Sequence, residues 1–278
     1  MKRDDLQGTR ARIAIAAAAA ATLAGATWGA VALTGTAGGT EAPQQNLTRP
    51  KDDGSGGGDG KGGPQPGGSG PSGPQVPDSI AHASEAGGDA VNITIDDGPD
   101  PAWTPKVLDV LARYDVKATF CMIGPQARAH PDLVKKVVAA GHRLCDHSVS
   151  HDTRMDKKPV DYQEQQILEA KKMIEDVAGG AKVEYYRAPG GAFTPDSRRI
   201  AAAHGMRPLG WNVDSKDFKA TGPGAIVDTV KGQISNGPTI LLHDGGGDRR
   251  HTVEALDRLL AWLKAEGRPT GFPVRTAP

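Results

Sequence analysis

Residues 91–99 read VNITIDDGP, a largely β-branched run followed by two acidic residues and a Gly-Pro pair. Four of its first five residues are β-branched, which is typical of a buried strand. Asp96 and Asp97 follow, and Gly98-Pro99 then ends the strand with a turn. The sequence therefore predicts a strand whose carboxyl end carries two carboxylates.

Strands and helices alternate from this point to the end of the chain. Further strands are predicted at 118–123, 142–145, 183–186, 208–212 and 239–242. Apolar periodicity predicts helices at 104–114, 132–140, 162–177, 195–204, 225–233 and 252–266. Continuous apolar strands between helices indicate a parallel sheet covered by helices. At this length a (β/α) barrel is the first expectation, and a doubly wound open sheet is the second.

Polar residues that can carry chemistry follow most of the predicted strands. They are Asp96, Asp97, Asp146, His147, His151, Arg187, Asp214, Asp217, His243 and Asp244. Loops that follow the strands of one parallel sheet lie on the same face of that sheet. We therefore expect these side chains to meet in one site.

His147 and His151 are four positions apart in the sequence HSVSH. On one helical turn, this spacing places both imidazoles on one face, within reach of a single metal ion. A carboxylate from Asp96 or Asp97 would complete a two-histidine, one-aspartate site with a position open for water. The alternative is a pair of surface histidines, which is the more common meaning of this spacing taken alone.

Asp96 and Asp97 are adjacent, and adjacent side chains of an extended segment point in opposite directions. They are therefore expected to do different jobs. One can bind the metal while the other accepts a proton from the attacking water. The alternative is that Asp-Gly-Pro is ordinary turn chemistry.

Five short motifs occur in a fixed order along the chain. They are TIDDGP at 94–99, HSVSH at 147–151, RAPGG at 187–191, DSKDF at 214–218 and LLH at 241–243. Together they resemble the five motifs of the polysaccharide deacetylases, the NodB-homology domain of carbohydrate esterase family four. The resemblance covers about 88–270 and implies a distorted (β/α) barrel of the NodB-homology type. It also implies one divalent metal ion, zinc or cobalt, and hydrolysis of acetyl groups on a polysaccharide.

The resemblance assigns metal-binding and catalytic roles to residues of these motifs. The metal ligands would be Asp97, His147 and His151. Asp96 would be the general base and His243 the general acid. Arg187 would orient the base, and Asp217 would tune the acid.

The resemblance also assigns substrate contacts. The backbone N–H of Gly190 would help to bind the oxyanion, and Leu241 would line the acetyl pocket. Many family members have an aromatic residue in place of Gly190, and Trp is common in place of Phe218, which still offers an apolar wall. Ile95 stands where the family more usually has Phe. None of these changes removes a group that the chemistry needs, so we expect an active enzyme.

The amino end is predicted to direct export. Lys2, Arg3, Arg10 and Arg12 precede an uncharged run over 13–33, which is typical of an export signal. The run is also long enough to span a bilayer, so 1–37 is either a cleaved signal peptide or an uncleaved membrane anchor. In both cases we expect the rest of the chain to work outside the cytoplasmic membrane, secreted or associated with the cell wall.

Residues 38–87 are predicted to be a disordered linker, because a Gly/Pro-rich sequence cannot bury enough apolar surface to fold. Of the twelve aromatic residues, only Trp28 precedes residue 100, so the folded domain is expected at 88–274.

Lys+Arg and Asp+Glu both number 33, which argues against a nucleic-acid binder with a basic surface. We expect a monomer whose partner is a polysaccharide.

Cys121 and Cys145 fall near the ends of consecutive predicted strands. Neighbouring strands lie about 4.8 Å apart, which is within disulfide reach. Export favours oxidation, so a disulfide is one expectation and two buried thiols are the other.

Three functions remain open from the sequence. The first is a metal-dependent hydrolase that removes N-acetyl groups from N-acetylglucosamine in peptidoglycan or chitin-like chains. The second is an acetyl xylan esterase, since amide and ester hydrolysis share an oxyanion intermediate. The third is a glycan-binding module that has lost turnover, and the presence of Asp96, His243 and the three candidate metal ligands argues against it.

Overall fold

The computed structural model describes residues 76–276 of the chain. The predicted export segment at 1–37 and residues 38–75 of the predicted linker lie outside the described residues. Within 76–276, no helix combines the length and the apolar character needed to cross a membrane.

The described part of the chain contains eight strands and seven α-helices. The strands are β1 (Val91–Asp96), β2 (Thr119–Met122), β3 (Arg143–Asp146), β4 (Val183–Tyr186), β5 (Arg207–Pro208), β6 (Val213–Asp214), β7 (Thr239–His243) and β8 (Thr270–Gly271). The helices are α1 (Thr104–Arg113), α2 (Gly124–Ala129), α3 (Pro131–Ala139), α4 (Val160–Val177), α5 (Pro195–Ala203), α6 (Pro223–Gln233) and α7 (Arg250–Ala265).

The strands form one parallel sheet in the order β5-β4-β3-β2-β1-β7-β6, and β8 pairs with β1. β1 lies in the middle, with Asp96 in register with Cys121 of β2 and with His243 of β7. Asp146 of β3 lies opposite Met122, so the carboxyl ends of four neighbouring strands are level with one another. This sheet and its helices are the predicted distorted (β/α) barrel, and the fold prediction is confirmed.

Burial follows the predicted patterns of the strands and helices. All six residues of β1 are buried, as expected for a strand covered by helices. Helix α1 turns Val107, Val110 and Leu111 towards the core, which is the spacing of one helical face. Both faces of β1 are therefore covered, and the core lies between the sheet and its helices.

The predicted strand at 208–212 is wrong in its extent. The structure has two short strands instead, and these pair at opposite ends of the sheet, β5 with β4 and β6 with β7. Between them, the carbonyl oxygens of Leu209 and Gly210 accept hydrogen bonds of 3.2 and 2.9 Å from the Arg187 guanidinium. The chain breaks where these two carbonyl groups face the buried guanidinium of Arg187 and not a neighbouring strand.

Helix α2 was not among the predicted helices, and it begins at Gly124 and Pro125, directly after the second strand. Proline is tolerated in the first turn of a helix because its missing N–H would have no partner there.

Residues 81–84, which were predicted to belong to the linker, contact the sheet at several points. Ala81 forms a parallel bridge with Leu209. The carbonyl oxygen of His82 accepts a 2.7 Å hydrogen bond from Thr239 Oγ1, and that of Ala83 accepts one of 3.2 Å from Asn92 Nδ2. This segment therefore belongs to the folded unit.

Candidate active site

A pocket of about 400 Å³ opens at the carboxyl ends of the strands. Its walls are formed by Asp96, Asp97, His147, His151, Thr153, Gly190, Trp211, Asp214, Phe218, Leu241 and His243. The five motifs, which span about 150 residues of sequence, thus contribute to one cavity, as expected for loops at one edge of a parallel sheet.

Asp97, His147 and His151 form a cluster whose potential ligand atoms lie within 4.8 Å of one another. Asp97 Oδ1 is 3.2 Å from His151 Nε2 and 3.6 Å from His147 Nε2. This oxygen is buried and has no hydrogen-bond partner among residues 76–276. A buried oxygen without a donor is costly unless a cation or another donor faces it.

The hydrogen bond and the burial of His147 suit it to bind a metal ion through Nε2. The His147 Nδ1 atom lies 2.8 Å from the carbonyl oxygen of Arg187, so Nδ1 carries the proton and Nε2 keeps its lone pair. Burial lowers the pKa of His147 to about 3, against the opposing charge of Asp97, so this imidazole is neutral near neutral pH. Two imidazole nitrogens and one carboxylate oxygen match the donor set of a catalytic zinc-type site, so the residues present fit a divalent metal ion.

The histidine pair does not lie on a helical turn, and that expectation is wrong. Ser148 and His151 have φ of 67° and 51°, which is left-handed backbone that no α-helix contains. The loop is held by Asp146, whose Oδ1 accepts a 2.7 Å hydrogen bond from Ser148 N, and by the Ser148 hydroxyl, which accepts one of 3.2 Å from His151 N. The loop nonetheless brings the two rings to a centroid distance of 4.9 Å.

Asp96 lies beside the metal-ligand cluster, and only 2% of it is exposed. Its Oδ1 accepts a 2.6 Å hydrogen bond from Arg187 Nη1, and this same nitrogen donates one of 2.9 Å to Thr94 Oγ1. Burial raises the pKa of Asp96, and the Arg187 charge, which lowers it, does not fully cancel that effect. Arg187 therefore holds the carboxylate in place, while burial makes it more basic than an ordinary aspartate.

His243 lies across the pocket and is paired with a carboxylate. Its Nδ1 is 2.7 Å from Asp217 Oδ1, and its backbone N–H donates a 2.8 Å hydrogen bond to Asp217 Oδ2. Thr252 Oγ1 donates to the same Oδ2 at 2.9 Å, which fixes the carboxylate from a third direction. Burial lowers the pKa of His243, but the hydrogen bond and charge of Asp217 outweigh this, and the net shift is upwards.

The predicted substrate contacts also line the pocket. Leu241 contributes an apolar wall from β7, and the Phe218 ring lies edge-on to His243 at a centroid distance of 5.7 Å. Phe218 is 52% exposed, so it stands at the mouth of the pocket. Gly190 has φ of 61° and lies so close to Thr153 that a Cβ there would be 3.2 Å from the Thr153 Cβ. A side chain at position 190 would therefore press against Thr153.

Thr153 and Trp211 line the pocket but were not identified from the sequence. Trp211 lies three residues before the DSKDF motif, and an aromatic residue next to a strand-end motif is the signal that was available. Gly191, with φ of 73°, gives this ring its space, since a Cβ there would lie 3.0 Å from the Trp211 ring. Asp214, predicted only as a strand-end residue, also lines the pocket and is paired with Lys216.

Cys121 and Cys145 form a disulfide between β2 and β3, at positions that are directly in register. The disulfide is therefore confirmed, and the alternative of two buried thiols is wrong. It ties together the two strands that precede α2 and the histidine loop.

Comparison with known proteins identifies the family. Residues 83–209 match the family model described as polysaccharide deacetylase. A chitooligosaccharide deacetylase of Sinorhizobium fredii is 37% identical over 207 residues, which cover 70% of this chain and 93% of that protein. A peptidoglycan-N-acetylglucosamine deacetylase of Bacillus cereus is 37% identical over 182 residues, which cover 64% of this chain and 83% of that protein.

A solved structure of a peptidoglycan N-acetylglucosamine deacetylase is also similar, with a TM-score of 0.65 and 31% identity. The match covers 69% of this chain and 90% of that one. The chain belongs to the polysaccharide deacetylase family, and its enzyme class is that of a deacetylase hydrolase. The family and enzyme class predicted from the five motifs are confirmed.

Proposed function

We propose that this protein removes N-acetyl groups from N-acetylglucosamine residues of a cell-wall or extracellular polysaccharide, peptidoglycan or chitin-like. The main support for this proposal is that three sets of side chains lie around one pocket. The Asp97, His147 and His151 cluster lies beside the Asp96–Arg187 pair, and the His243–Asp217 pair faces the same cavity. This arrangement supplies a metal site, a base and an acid to one bound acetyl group.

The metal site would be formed by Asp97 and by the Nε2 atoms of His147 and His151. A divalent ion held there, zinc or cobalt, would polarise the acetyl carbonyl and acidify a water molecule. The carbonyl of Arg187, which accepts from His147 Nδ1, fixes the tautomer that such a ligand needs.

Asp96 is proposed as the general base that removes a proton from the attacking water. Burial raises the pKa of this carboxylate, which makes it a stronger base. Arg187 binds Oδ1, and Oδ2 lies 3.5 Å from His147 Nε2 of the metal-ligand cluster. Arg187 is itself fully buried and donates to four acceptors, so it is proposed as the residue that orients the base.

His243 is proposed as the general acid that protonates the leaving amine. To do this it must carry a proton near neutral pH, and the Asp217 carboxylate favours that form. Because Asp217 binds Nδ1, the Nε2 atom is left free to donate to the substrate.

Three residues are proposed to bind the acetyl group itself. The backbone N–H of Gly190 would stabilise the oxyanion that develops on the carbonyl oxygen. Leu241 and Phe218 would hold the methyl group, because both present apolar surface to the pocket. Trp211 adds a further aromatic wall beside Gly191.

We also propose the organisation of the chain around this site. Residues 1–37 would be a signal peptide or membrane anchor, 38–87 largely a linker, and 88–274 the catalytic domain, with Val76 to residue 87 packed onto it. The enzyme would act as a monomer outside the cytoplasmic membrane. The relatives named for chitooligosaccharide and peptidoglycan support a glycan substrate.

Acetate release by the full chain tests the proposal. Peptidoglycan, chitin oligomers and acetylated xylan would be compared at equal acetyl concentration. Release from the first or second supports N-deacetylation, and release from xylan alone would instead support the esterase. Glycan binding without any release from the three substrates would leave the inactive binding module as the function.

A further inference from the structure

Asp244 follows the proposed general acid and is completely buried, yet no proposed step of the reaction uses it. Its Oδ2 accepts a 2.5 Å hydrogen bond from Thr104 Oγ1. Its Oδ1 is buried and has no hydrogen-bond partner within the range that the structure describes. A carboxyl group in such a place costs free energy of folding, so an apolar residue would serve better if packing were its only purpose.

The backbone of Asp244 and of Gly245 packs against the loop that carries Asp97. Asp244 N donates a 3.0 Å hydrogen bond to the carbonyl oxygen of Asp96. A Cβ on Gly98 would clash with the Asp244 carboxyl group, and a Cβ on Gly245 would clash with the carbonyl oxygen of Asp97. The loop after β7 therefore packs closely against the loop after β1, through the Asp244 side chain at Gly98 and backbone to backbone at Gly245.

Thr104 extends this contact to the far end of the same loop. Its hydroxyl donates to Asp244 and accepts a 2.7 Å hydrogen bond from Asp100 N. Thr104 is also fully buried and is the first residue of helix α1. The series Asp244–Thr104–Asp100 thus fastens the loop over residues 97–103 to the loop after β7.

Asp97 needs such support. Its φ is 76°, a left-handed conformation that costs energy for a residue with a side chain and persists only where the surroundings impose it. The same residue places Oδ1 between the two histidine Nε2 atoms. If the loop relaxed, this oxygen would move away from both.

We propose that Asp244 is a positioning residue for the metal site, acting through Thr104 and Gly98 to hold Asp97 in its ligating conformation. The inference rests on the proposed function, because it takes Asp97, His147 and His151 as metal ligands. Asp244 would support the site through these residues, and its own carboxyl group would contact neither the metal nor the substrate.

The experiment measures Zn²⁺ affinity of the full chain by competition with a chromophoric chelator. The variants are Asp244→Ala and Thr104→Val, which break the same hydrogen bond from its two ends. We expect each to weaken Zn²⁺ binding by about 10- to 100-fold, the usual effect of removing a partner that supports a ligand. Thr119→Val is the matched control, since the Thr119 hydroxyl is buried without a hydrogen-bond partner in the described structure and its loss removes no contact.

Asp244→Asn is the rescue variant. Its amide oxygen can accept the Thr104 hydrogen bond, so we expect most of the Zn²⁺ affinity to return. The visible spectrum of the Co²⁺-loaded chain is a second readout, because it reports ligand geometry. The spectrum should change in Asp244→Ala and stay like wild type in Asp244→Asn and Thr119→Val.

The possible failures are distinct. If the wild-type chain does not bind Zn²⁺, the metal site itself is wrong. If the wild-type chain binds Zn²⁺ and Thr104→Val and a folded Asp244→Ala bind it as tightly, the positioning role is wrong. If Asp244→Ala does not fold, the Zn²⁺ affinity of Thr104→Val alone tests the positioning role. An equal loss of Zn²⁺ affinity in Thr119→Val would also overturn the inference.

Discussion

Asp217 binds His243 at two points, through Oδ1 to the ring Nδ1 at 2.7 Å and through Oδ2 to the backbone N–H at 2.8 Å. The carboxylate therefore fixes both the ring and the strand end that carries it. Burial lowers the pKa of His243, but the hydrogen bond from its ring to Asp217 and the charge of Asp217 raise it more, so the net shift is upwards. The protonated imidazole that the proposed mechanism requires depends on it.

Asp217→Asn should shift the alkaline limb of the pH–kcat profile to lower pH. Without the carboxylate, burial dominates, the pKa of His243 falls, and less of the acid is protonated at a given pH above that value. The profile should be measured from pH 5 to pH 10. Asp248→Asn is the control, because this aspartate is exposed and lies in the loop that follows β7. An unchanged alkaline limb in Asp217→Asn would show that His243 does not supply the proton.

Asp96→Asn should reduce kcat by about 10²- to 10⁴-fold, the usual contribution of a general base. Asparagine keeps the shape and can still accept from Arg187 Nη1, but it cannot take a proton from water. Zn²⁺ affinity, measured in parallel, should change little because Asp97 and both histidines remain. Activity close to wild type would mean that another group is the base.

Much of this arrangement could be predicted from the sequence, because it follows from strand ends. Asp96 and His243 are the last residues of β1 and β7, and these strands are neighbours in register. A strand-end position on a parallel sheet is a local property that apolar runs and turn residues reveal. The grouping of the motifs into one pocket could therefore be expected before the structure.

Other features could not be predicted, because they depend on contacts between distant residues. The histidine loop is held by Asp146 and by positive φ values, which its i,i+4 spacing does not reveal. The break at 209–212 depends on Arg187, 22 or more residues earlier, whose guanidinium binds the carbonyl oxygens there. Thr153 lies at the pocket wall beside Gly190, and the sequence does not reveal this contact between distant residues.

Gly190→Ala should reduce both stability and activity. A φ of 61° is unfavourable for alanine by about 1–2 kcal/mol, and the added Cβ would press on Thr153 at the pocket wall. Gly205→Ala is a matched control, with a φ of 79° and no atom within 4 Å of the added Cβ. Urea unfolding and acetate release would be measured for both. Both variants should lose stability, Gly190→Ala the more because of its contact with Thr153, and only Gly190→Ala should lose activity. Equal loss of activity in the two variants would contradict a role for Gly190 at the site.

Replacing both Cys121 and Cys145 by alanine should lower the free energy of unfolding by about 2–4 kcal/mol, as expected for a disulfide that closes a loop of this size. Neither sulfur lines the pocket, so the folded variant should keep its Zn²⁺ affinity. Urea denaturation without reductant gives the stability. An unfolding free energy equal to that of the wild-type chain would show that the disulfide does not form in solution.

Acetate release from chitin oligomers or peptidoglycan, before and after removal of bound metal, tests whether Asp97, His147 and His151 form the catalytic metal site. We predict that a chelator stops the release, that Zn²⁺ or Co²⁺ restores it, and that neither ion restores it in His147→Ala. Release that continues in the presence of the chelator, or that His147→Ala retains, would contradict the assignment of Asp97, His147 and His151 as the catalytic metal site.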